Sequence, residues 1–382
     1  MRLSRRSAVD PFIVMDVMEA ARRAEAAGRR IIHMEVGQPG TPAPAAARAA
    51  LARALEGNPL GYTVALGLPA LREGIAALYR RRHGLDIDPG RIVVTAGSSG
   101  AFLLAFTALF DTGERVALGA PGYPSYRQIL RALGLVPVEI GTTMENRLQP
   151  RPGEIPAAAR GLIVASPANP SGTMLGRDEL KALVEACAGR GIALISDEIY
   201  HGIEYETAAV SALEISDDVY VINSFSKYFS MTGWRVGWMV VPESHVRSIE
   251  RLAQNMFICA PHASQLAALA ALECEDELQA NLAVYRENRA LMMEGLPRAG
   301  FGRIAPPDGA FYFYADVSEI TDDSRALAAA ILEQAGVALT PGLDFDSRRG
   351  ARTLRFSYAG RTEDIAEGLA RLQAFMAALR GG

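Results

Sequence analysis

Short apolar runs alternate with amphipathic segments over most of the chain. From about residue 90, the β-rich runs RIVVT, RVALGA, GLIVAS, IALISD and VYVINSF are separated by more polar or helical segments, and the clearest helix covers residues 177–188. This alternation favours parallel strands that are joined by helical crossovers. The sequence therefore predicts an α/β fold with a mostly parallel sheet flanked by helices.

The pattern changes at both ends of the chain. Residues 11–27 have apolar positions at helical spacing and stop near Gly28, which predicts a short N-terminal helix. Residues 261–298 form a long helical stretch, which we interpret as the connector into a second domain. Beyond it, FYFYADV and TLRFSYA are strand-like, and helices are expected from about Ser324 and Glu363. The C-terminal part is therefore predicted to be a smaller α+β unit.

Together these elements predict three parts of the chain. An N-terminal segment, residues 1–35, is expected to pack on the small domain. A large ligand-binding domain is expected over residues 36–275, and the small C-terminal domain over residues 276–382. This division agrees with the length of 382 residues, which exceeds what a single core usually supports.

Composition and charge narrow the classes of partner. The chain has 39 Lys and Arg against 43 Asp and Glu, a net charge of −4, so we expect no binding to nucleic acid or to an anionic membrane. No apolar run is long enough to span a bilayer, and the start of the chain lacks the apolar region of a signal peptide. The three cysteines and five histidines lack the spacings of a disulfide framework or a metal site. These features predict a cytoplasmic protein that binds small molecules and no metal.

Polar residues follow each of the predicted strands. GSSG (residues 97–100) follows RIVVT, PGYPSY follows RVALGA, PANPSGT follows GLIVAS, DEIY follows IALIS, and SKYFSMTGWR follows VYVINSF. In an open parallel sheet, ligands bind at the edge where the carboxyl ends of the strands meet. Small residues with free N–H groups at the start of a helix suit a phosphate.

Each of these motifs has an ordinary structural explanation when it is taken alone. GSSG and NPSG can be simple turns, Asp197 can cap a helix, and Lys227 can be a surface charge. Their shared position on one edge of one sheet makes a common ligand the better explanation. A phosphate site, an aromatic face, a carboxylate, a phenol or amide and a lysine are together what pyridoxal phosphate requires.

The segment around Lys227 resembles a known signature. SFSKYFSMTGWRVG (residues 224–237) is similar, position by position, to the lysine-attachment site of class I/II aminotransferases, the aspartate aminotransferase-like enzymes of fold type I. VGQPGTPAP, YTVALGLPALREGIA, PDGAFYFY and LRFSYAG also occur in the family's order, so the resemblance covers roughly residues 36–360. It implies a pyridoxal-phosphate-dependent transaminase. Such an enzyme moves the amino group of an L-amino acid to a 2-oxo acid by a ping-pong mechanism through pyridoxamine phosphate.

The resemblance also implies roles for individual residues. Lys227 would carry the cofactor and act as the base, Asp197 would pair with the pyridine nitrogen, and Tyr200 would bind the 3′ oxygen. A lysine amine is a useful base at neutral pH only when desolvation and nearby cations lower its pKa. The other cofactor contacts that the resemblance implies are Tyr123 on the ring face, Asn169 at the 3′ oxygen, and Ser98, Ser99, Ser224, Ser226 and Arg235 on the phosphate side.

Substrate and subunit contacts follow from the same resemblance. Gly37, Asn169 and Arg355 resemble the substrate-binding residues, with Gly37 acting through its backbone and Arg355 as a bidentate clamp on the carboxylate. Tyr62 resembles a tyrosine that reaches the phosphate of the neighbouring subunit, which implies a homodimer with shared active sites. Ser99 stands where some relatives that act on acidic substrates carry a lysine. Alanine, aromatic and branched substrates therefore stay open.

Three other functions compete with transamination. Fold type I lyases share the same apparatus and direct the reaction to β-elimination. A serine hydrolase that uses Ser99 would explain GSSGA, but the motif departs from GxSxG at Ala101 and leaves Lys227 and Arg235 without a role. The sensor domain of a transcription regulator would need a DNA-binding module, and only about 35 residues precede VGQPG. We therefore expect an aminotransferase.

Overall fold

Helices and strands alternate along residues 1–381, the part of the chain that the computed structural model describes. The α-helices are α1 Ile13–Ala26, α2 Ala45–Gly57, α3 Pro69–His83, α4 Gly97–Leu109, α5 Pro124–Ala132, α6 Arg177–Ala188, α7 Val246–Met256, α8 His262–Ala271, α9 Glu275–Arg298, α10 Ser324–Ala335 and α11 Thr362–Gly381. The strands are β1 Ile32–His33, β2 Ile92–Thr95, β3 Arg115–Ala120, β4 Val136–Gly141, β5 Ala159–Ala165, β6 Ala193–Asp197, β7 Tyr220–Ser224, β8 Gly237–Val240, β9 Tyr312–Asp316, β10 Val337–Ala338, β11 Thr340–Pro341 and β12 Thr353–Ser357.

A seven-stranded sheet is the framework of the larger part of the chain. Its strand order is β2-β8-β7-β6-β5-β3-β4. The strands from β7 to β4 are parallel to one another, whereas β8 runs antiparallel to both β7 and β2. Strand β7 is buried over its whole length, as expected for a parallel strand with both faces covered. The prediction of an α/β fold with a mostly parallel sheet is confirmed.

The connection from β2 to α4 turns sharply at the carboxyl edge of this sheet. Helix α4 begins at Gly97, only two residues after β2 ends at Thr95. Gly97 has a φ of +71°, in the left-handed region that favours glycine. The hydroxyl of Thr95 donates a hydrogen bond to the carbonyl of Gly97 at 2.8 Å. The start of α4 is thereby fixed at the edge of the sheet where ligands are expected.

A three-stranded antiparallel sheet, β11-β12-β9, lies in the C-terminal part of the chain. The N-terminal segment contacts this part in two ways. Strand β1 pairs in parallel with β10, and the carboxylate of Asp344 accepts hydrogen bonds from the backbone N–H groups of Ile13 (2.9 Å) and Val14 (3.0 Å) at the start of α1. A carboxylate at a helix N-terminus satisfies free N–H groups and favours the helix dipole. The division into three domains stays a prediction.

The helical stretch predicted over residues 261–298 is two helices rather than one. Helix α8 ends at Ala271, and α9 begins at Glu275 after a turn. The first turn of α9 contains Glu275, Asp276 and Glu277. Acidic residues stabilise the N-terminus of a helix, so this cluster marks a new start.

The hydrophobic core extends through both parts of the chain. One cluster of buried side chains includes Val221 of the seven-stranded sheet and Phe356 of the three-stranded sheet. Both residues are fully buried. Among residues 1–381, no helix has the length and the apolar character needed to cross a membrane.

Candidate active site

A cavity opens at the carboxyl edge of the seven-stranded sheet. It brings together side chains from the ends of several strands, as the sequence predicts. The residues that line it are Ser98, Ser99, Tyr123, Tyr126, Ala165, Pro167, Asn169, Asp197, Ile199, Tyr200, Ser226, Lys227, Thr232 and Arg235. Most of the residues singled out in the sequence are in this set.

Lys227 follows β7 and enters the cavity from one side. Its ammonium donates a hydrogen bond to the carbonyl of Gly37 at 2.6 Å. Burial, together with the positive charges of Arg355 and Arg235, lowers the pKa of Lys227 to about 8. The amine is therefore far closer to its neutral form at physiological pH than a surface lysine is. The chain contains one other lysine, Lys181, which is exposed and lies 3.8 Å from Glu185.

Asp197 is the last residue of β6 and is buried in the floor of the cavity. Its carboxylate accepts a hydrogen bond from the phenol of Tyr126, and another from the backbone N–H of Ile199 at 3.1 Å. Burial raises the pKa of Asp197 to about 6, while these two hydrogen bonds act in the opposite direction. Sequence analysis singled out PGYPSY but assigned no role to Tyr126. A contact between residues 71 positions apart depends on the fold and has no local signal.

The start of α4 and Arg235 form a cationic corner of the cavity. Ser98 and Ser99 lie in the first turn of α4, where backbone N–H groups are free to bind an anion. Arg235 has a left-handed φ of 53°, and its guanidinium donates to the carbonyl of Thr232 at 2.8 Å. A Cβ atom on Gly97 would lie 2.4 Å from Nη2 of Arg235. Glycine at this position therefore allows the arginine to approach the helix start.

Two other predicted serines lie at different depths. The hydroxyls of Ser224 and Ser226 are 2.8 Å apart. Ser226 lines the cavity, whereas Ser224 is buried beside it and donates to the carbonyl of Val236 at 3.0 Å. Ser224 thus orders the loop that carries Ser226 and Lys227.

Arg355 reaches the region of the cavity from β12 of the small sheet. Its guanidinium donates to Oδ1 of Asn169 at 2.9 Å and to the backbone carbonyl of Glu35. The side chain is buried, and its Nε has no hydrogen-bond partner within residues 1–381. Arg355 and Gly37 therefore lie next to residues of the cavity, Asn169 and Lys227, although they are not among its lining residues.

Tyr312 connects the predicted cofactor and substrate residues, and sequence analysis assigned it no role. Its hydroxyl is 2.7 Å from the hydroxyl of Tyr200, and its ring centroid is 4.5 Å from the guanidinium carbon of Arg355. A Cβ atom on Gly37 would lie 1.8 Å from the Tyr312 hydroxyl, so this contact requires glycine. Burial raises the pKa of Tyr200 well above its ordinary value, and its phenol stays protonated at neutral pH.

Tyr62 is the predicted site residue that this chain does not bring to the cavity. Its side chain is 83% exposed. Three other apolar side chains, one from the same stretch and two from the end of α7 and the loop after it, are also exposed: Val64, Met256 and Ile258.

Comparison with known proteins identifies the family. The family described as Aminotransferase class I and II matches residues 29–372. The chain belongs to this family. A valine–pyruvate aminotransferase from Mycobacterium tuberculosis is 48% identical over 382 residues, which cover 98% of each chain. A (5-formylfuran-3-yl)methyl phosphate transaminase from Methanocaldococcus jannaschii is 34% identical, with coverage of 96% of this chain and 97% of its own.

Solved structures agree with this assignment. An aminotransferase from Mycobacterium tuberculosis is 47% identical and superposes with a TM-score of 0.97, covering 99% of this chain and 100% of its own. Aspartate aminotransferase from Thermus thermophilus with maleate is 32% identical, with a TM-score of 0.91 and coverage of 98% and 100%. The fold is therefore that of the aspartate aminotransferase-like enzymes of fold type I.

These matches also decide between the competing functions. The similar proteins act as transaminases, and members of this family depend on pyridoxal phosphate. The chain is accordingly a pyridoxal-phosphate-dependent aminotransferase. The comparisons support neither β-elimination nor hydrolysis through Ser99.

Proposed function

We propose that the chain binds pyridoxal phosphate in the cavity at the carboxyl edge of the sheet and transfers the amino group of a neutral L-amino acid to a 2-oxo acid. The observation that carries this proposal is the convergence of three groups on one cavity. These are the amine of Lys227, the carboxylate of Asp197, and the start of α4 with Arg235 beside it.

The residues of the cavity fit the cofactor. A phosphate would be held by the free N–H groups of Ser98 and Ser99, their hydroxyls and the guanidinium of Arg235. The close approach of Arg235 to Gly97 favours this position, because a larger residue at 97 would displace the guanidinium. Ser226 also lines the cavity and would donate a further hydrogen bond.

Asp197 would hold the ring nitrogen of the cofactor as an ion pair. Its carboxylate is buried, and the hydrogen bonds from Tyr126 and from the N–H of Ile199 fix its orientation. When bound, the cofactor acts as an electron sink that acidifies the proton on the substrate Cα. A carboxylate at this position favours the protonated ring nitrogen, which is the form that withdraws electrons strongly.

Lys227 would take the proton from the substrate Cα. Burial and two nearby guanidinium groups lower the pKa of Lys227 to about 8, so a useful fraction of the amine is neutral near pH 7–8. Tyr200 would donate a hydrogen bond from its phenol to the 3′ oxygen of the cofactor. The hydroxyl of Tyr312, 2.7 Å from that of Tyr200, would hold the phenol in place. Tyr123 would pack against the ring, and its own ring is held edge-on by Phe12 at 6.0 Å.

Arg355, Gly37 and Asn169 would bind the carboxylate that amino-acid and oxo-acid substrates share. Arg355 is already in contact with Asn169 and retains a buried Nε–H without a partner within the described residues. A guanidinium matches a carboxylate through two parallel hydrogen bonds. We expect the substrate to enter between these residues and the cavity.

A neutral substrate side chain is favoured by two observations. Ser99 takes the place where some relatives that act on acidic substrates carry lysine. The relative at 48% identity is a valine–pyruvate aminotransferase, whereas relatives given as aspartate aminotransferases are about 30% identical. We therefore propose valine as the first donor to test and pyruvate as the first acceptor.

We further propose that two copies of the chain form a homodimer with shared active sites. Tyr62 would extend from one subunit to the phosphate of the other, which agrees with its 83% exposure in the single chain. The exposed side chains of Val64, Met256 and Ile258 would be covered by the same contact. The predicted cytoplasmic location belongs to this proposal as well.

Single-substrate half-reactions test the substrate assignment. The purified holoenzyme is mixed with one amino acid at a time without any acceptor, and the change in visible absorption that accompanies amino transfer is recorded. We expect valine and alanine to react and aspartate to react far more slowly. Faster reaction with aspartate than with valine would reject the neutral-substrate proposal and leave the aminotransferase assignment intact.

A further inference from the structure

A buried carboxylate lies directly beside the segment that contacts Arg355 and Lys227. Glu35 is fully buried, and its Oε2 has no hydrogen-bond partner within residues 1–381. Its Oε1 is 2.8 Å from Nδ1 of His33. An ionised carboxylate is costly to bury unless a charged or hydrogen-bonding partner compensates it. His33 is the partner that can do so here.

His33 also connects this carboxylate to the N-terminal helix. Its Nε2 is 3.1 Å from Oε1 of Glu25 in α1, so the imidazole bridges two carboxylates. Both ring nitrogens can donate at the same time only when the imidazole is protonated. Hydrogen bonding to Glu35, with the charges of Glu35 and Glu25, raises the pKa of His33 to about 9 against the effect of burial. His33 therefore carries a positive charge at neutral pH.

The other charged groups near this strand are committed elsewhere. Arg30 pairs with Asp364 and Glu367 of α11, and Arg29 pairs with Glu333 of α10. Strand β10, which pairs with β1, contributes only Val337 and Ala338. The groups that face His33 are thus Glu25 from α1 and Glu35 from its own segment.

The backbone of the same segment reaches the proposed substrate site. The carbonyl of Glu35 accepts hydrogen bonds from Arg355 and, at 2.7 Å, from the hydroxyl of Thr340. Two residues later, the carbonyl of Gly37 accepts from Lys227 at 2.6 Å. A displacement of residues 35–37 would therefore move both an acceptor of Arg355 and an acceptor of Lys227.

We propose that His33 is a positioning residue for substrate binding, which acts through the buried carboxylate of Glu35 to hold the segment 35–37 against Arg355. The proposal rests on the proposed function, in which Arg355 and Gly37 bind the substrate carboxylate. A neutral residue at position 33 leaves Glu35 buried without a counter-charge, so the segment shifts and the carboxylate site loses its geometry.

The test compares three variants of the holoenzyme: His33→Gln, Glu35→Gln and the double variant. The affinity for 3-methylbutanoate, a carboxylate that has neither an amino nor an oxo group, is measured by calorimetry, and KM and kcat are measured with valine and pyruvate. We expect His33→Gln to weaken 3-methylbutanoate binding and to raise both KM values by up to about 100-fold, the effect of misplacing a group by about 1 Å. The kcat value should change much less. The double variant should recover most of the affinity, because a neutral amide at position 35 needs no counter-charge.

The pH dependence provides a second readout. The raised pKa means that His33 stabilises the folded protein fully below pH 6.5, its ordinary pKa, and that this contribution is lost as the pH rises through about 9. The difference in Tm between the wild type and His33→Gln should therefore shrink between pH 7 and pH 10. The Tm of the Glu35→Gln variant should lack the part of the pH dependence that comes from His33. NMR of the five histidines in the wild type should show one imidazole that titrates near pH 9 and is absent from His33→Gln.

His245→Gln is the matched control. His245 is hydrogen-bonded to Tyr220 at the amino end of β7, at 2.9 Å, on the opposite edge of the sheet from the cavity. The His245→Gln substitution should leave both KM values and the affinity for 3-methylbutanoate unchanged.

Three outcomes would overturn the proposal. They are a His33→Gln variant that loses thermal stability but binds 3-methylbutanoate as the wild type does, a double variant that recovers nothing, and a His33 imidazole that titrates near 6.5. If His33→Gln fails to fold, the proposal is still tested by the pH dependence of Tm in Glu35→Gln and by the NMR titration of His33 in the wild type. Arg355→Ala distinguishes a failure of the proposed substrate site from a failure of the role assigned to His33. Unchanged KM in that variant would reject the proposed substrate site, whereas raised KM in Arg355→Ala with unchanged KM in His33→Gln would reject only the role of His33.

Discussion

The central residues of the cavity differ from the same residue types in water because the fold removes them from solvent. Burial raises the pKa of Asp197 to about 6 and, with two arginines, lowers that of Lys227 to about 8. Sequence motifs identified both residues. Tyr126 and Tyr312, which hydrogen-bond to Asp197 and Tyr200, received no role from sequence because each contact joins distant elements.

An Asp197→Asn substitution tests the role of the buried carboxylate. The amide keeps the size of the side chain but cannot pair with a protonated ring nitrogen. A loss of two units in the pKa of that nitrogen corresponds to about 2.7 kcal/mol, so we expect kcat to fall roughly 100-fold or more. Stopped-flow half-reactions with valine measure this step. Tyr126→Phe leaves the carboxylate of Asp197 in place and should therefore lower kcat much less. A near-normal kcat for Asp197→Asn would reject the assigned role.

At the level of elements, the sequence predicts strands and helices well where the apolar pattern is regular. The helix expected over 177–188 is α6, and the strand-like run FYFYADV contains β9. The break between α8 and α9 was not predicted, because the apolar spacing continues across the turn. The antiparallel direction of β8 could not be inferred either, since strand direction depends on the path of the connection and not on the strand's own residues.

The turn from β2 into α4 can be tested with a pair of glycines. Gly97→Ala and Gly113→Ala both put a side chain at a positive φ (+71° and +91°), so each should lose about 1–2 kcal/mol of stability. Only Gly97→Ala adds a Cβ close to Arg235, whereas at Gly113 no atom of the described residues, chain neighbours aside, lies within 4 Å of the added Cβ. We therefore expect weaker pyridoxal phosphate binding in Gly97→Ala alone, measured by titration of the apoprotein. Equal cofactor affinity in the two variants would argue against a phosphate site at this turn.

For the whole molecule, the single chain places most of the predicted site residues around one cavity but leaves Tyr62 on the surface. The sequence resemblance implies that Tyr62 acts across a dimer, as proposed above, and no periodicity within one chain could reveal such a contact. The continuous core between the two sheets brings Arg355 from the small sheet to Asn169 near the cavity.

Mixed dimers test the shared site. When Lys227→Ala and Tyr62→Phe chains are co-expressed, a hybrid dimer contains one site with both Lys227 and the partner's contribution from Tyr62 intact. Activity should exceed the sum of the two variants expressed alone. Co-expression of Lys227→Ala with Arg355→Ala is the control, because both residues act within one chain and no hybrid site is complete. A fully active monomer in solution would contradict the shared site.

The most direct test of the central proposal is covalent mapping of the cofactor. The purified holoenzyme is reduced with borohydride, digested, and analysed by mass spectrometry for the peptide that carries the reduced pyridoxyl group. The chain offers its own control, because Lys181 is the second of its two lysines and lies on the surface. We predict that the group is found on Lys227 and that Lys227→Ala loses both the adduct and all turnover. An adduct on Lys181, or an active Lys227→Ala variant, would contradict the proposal.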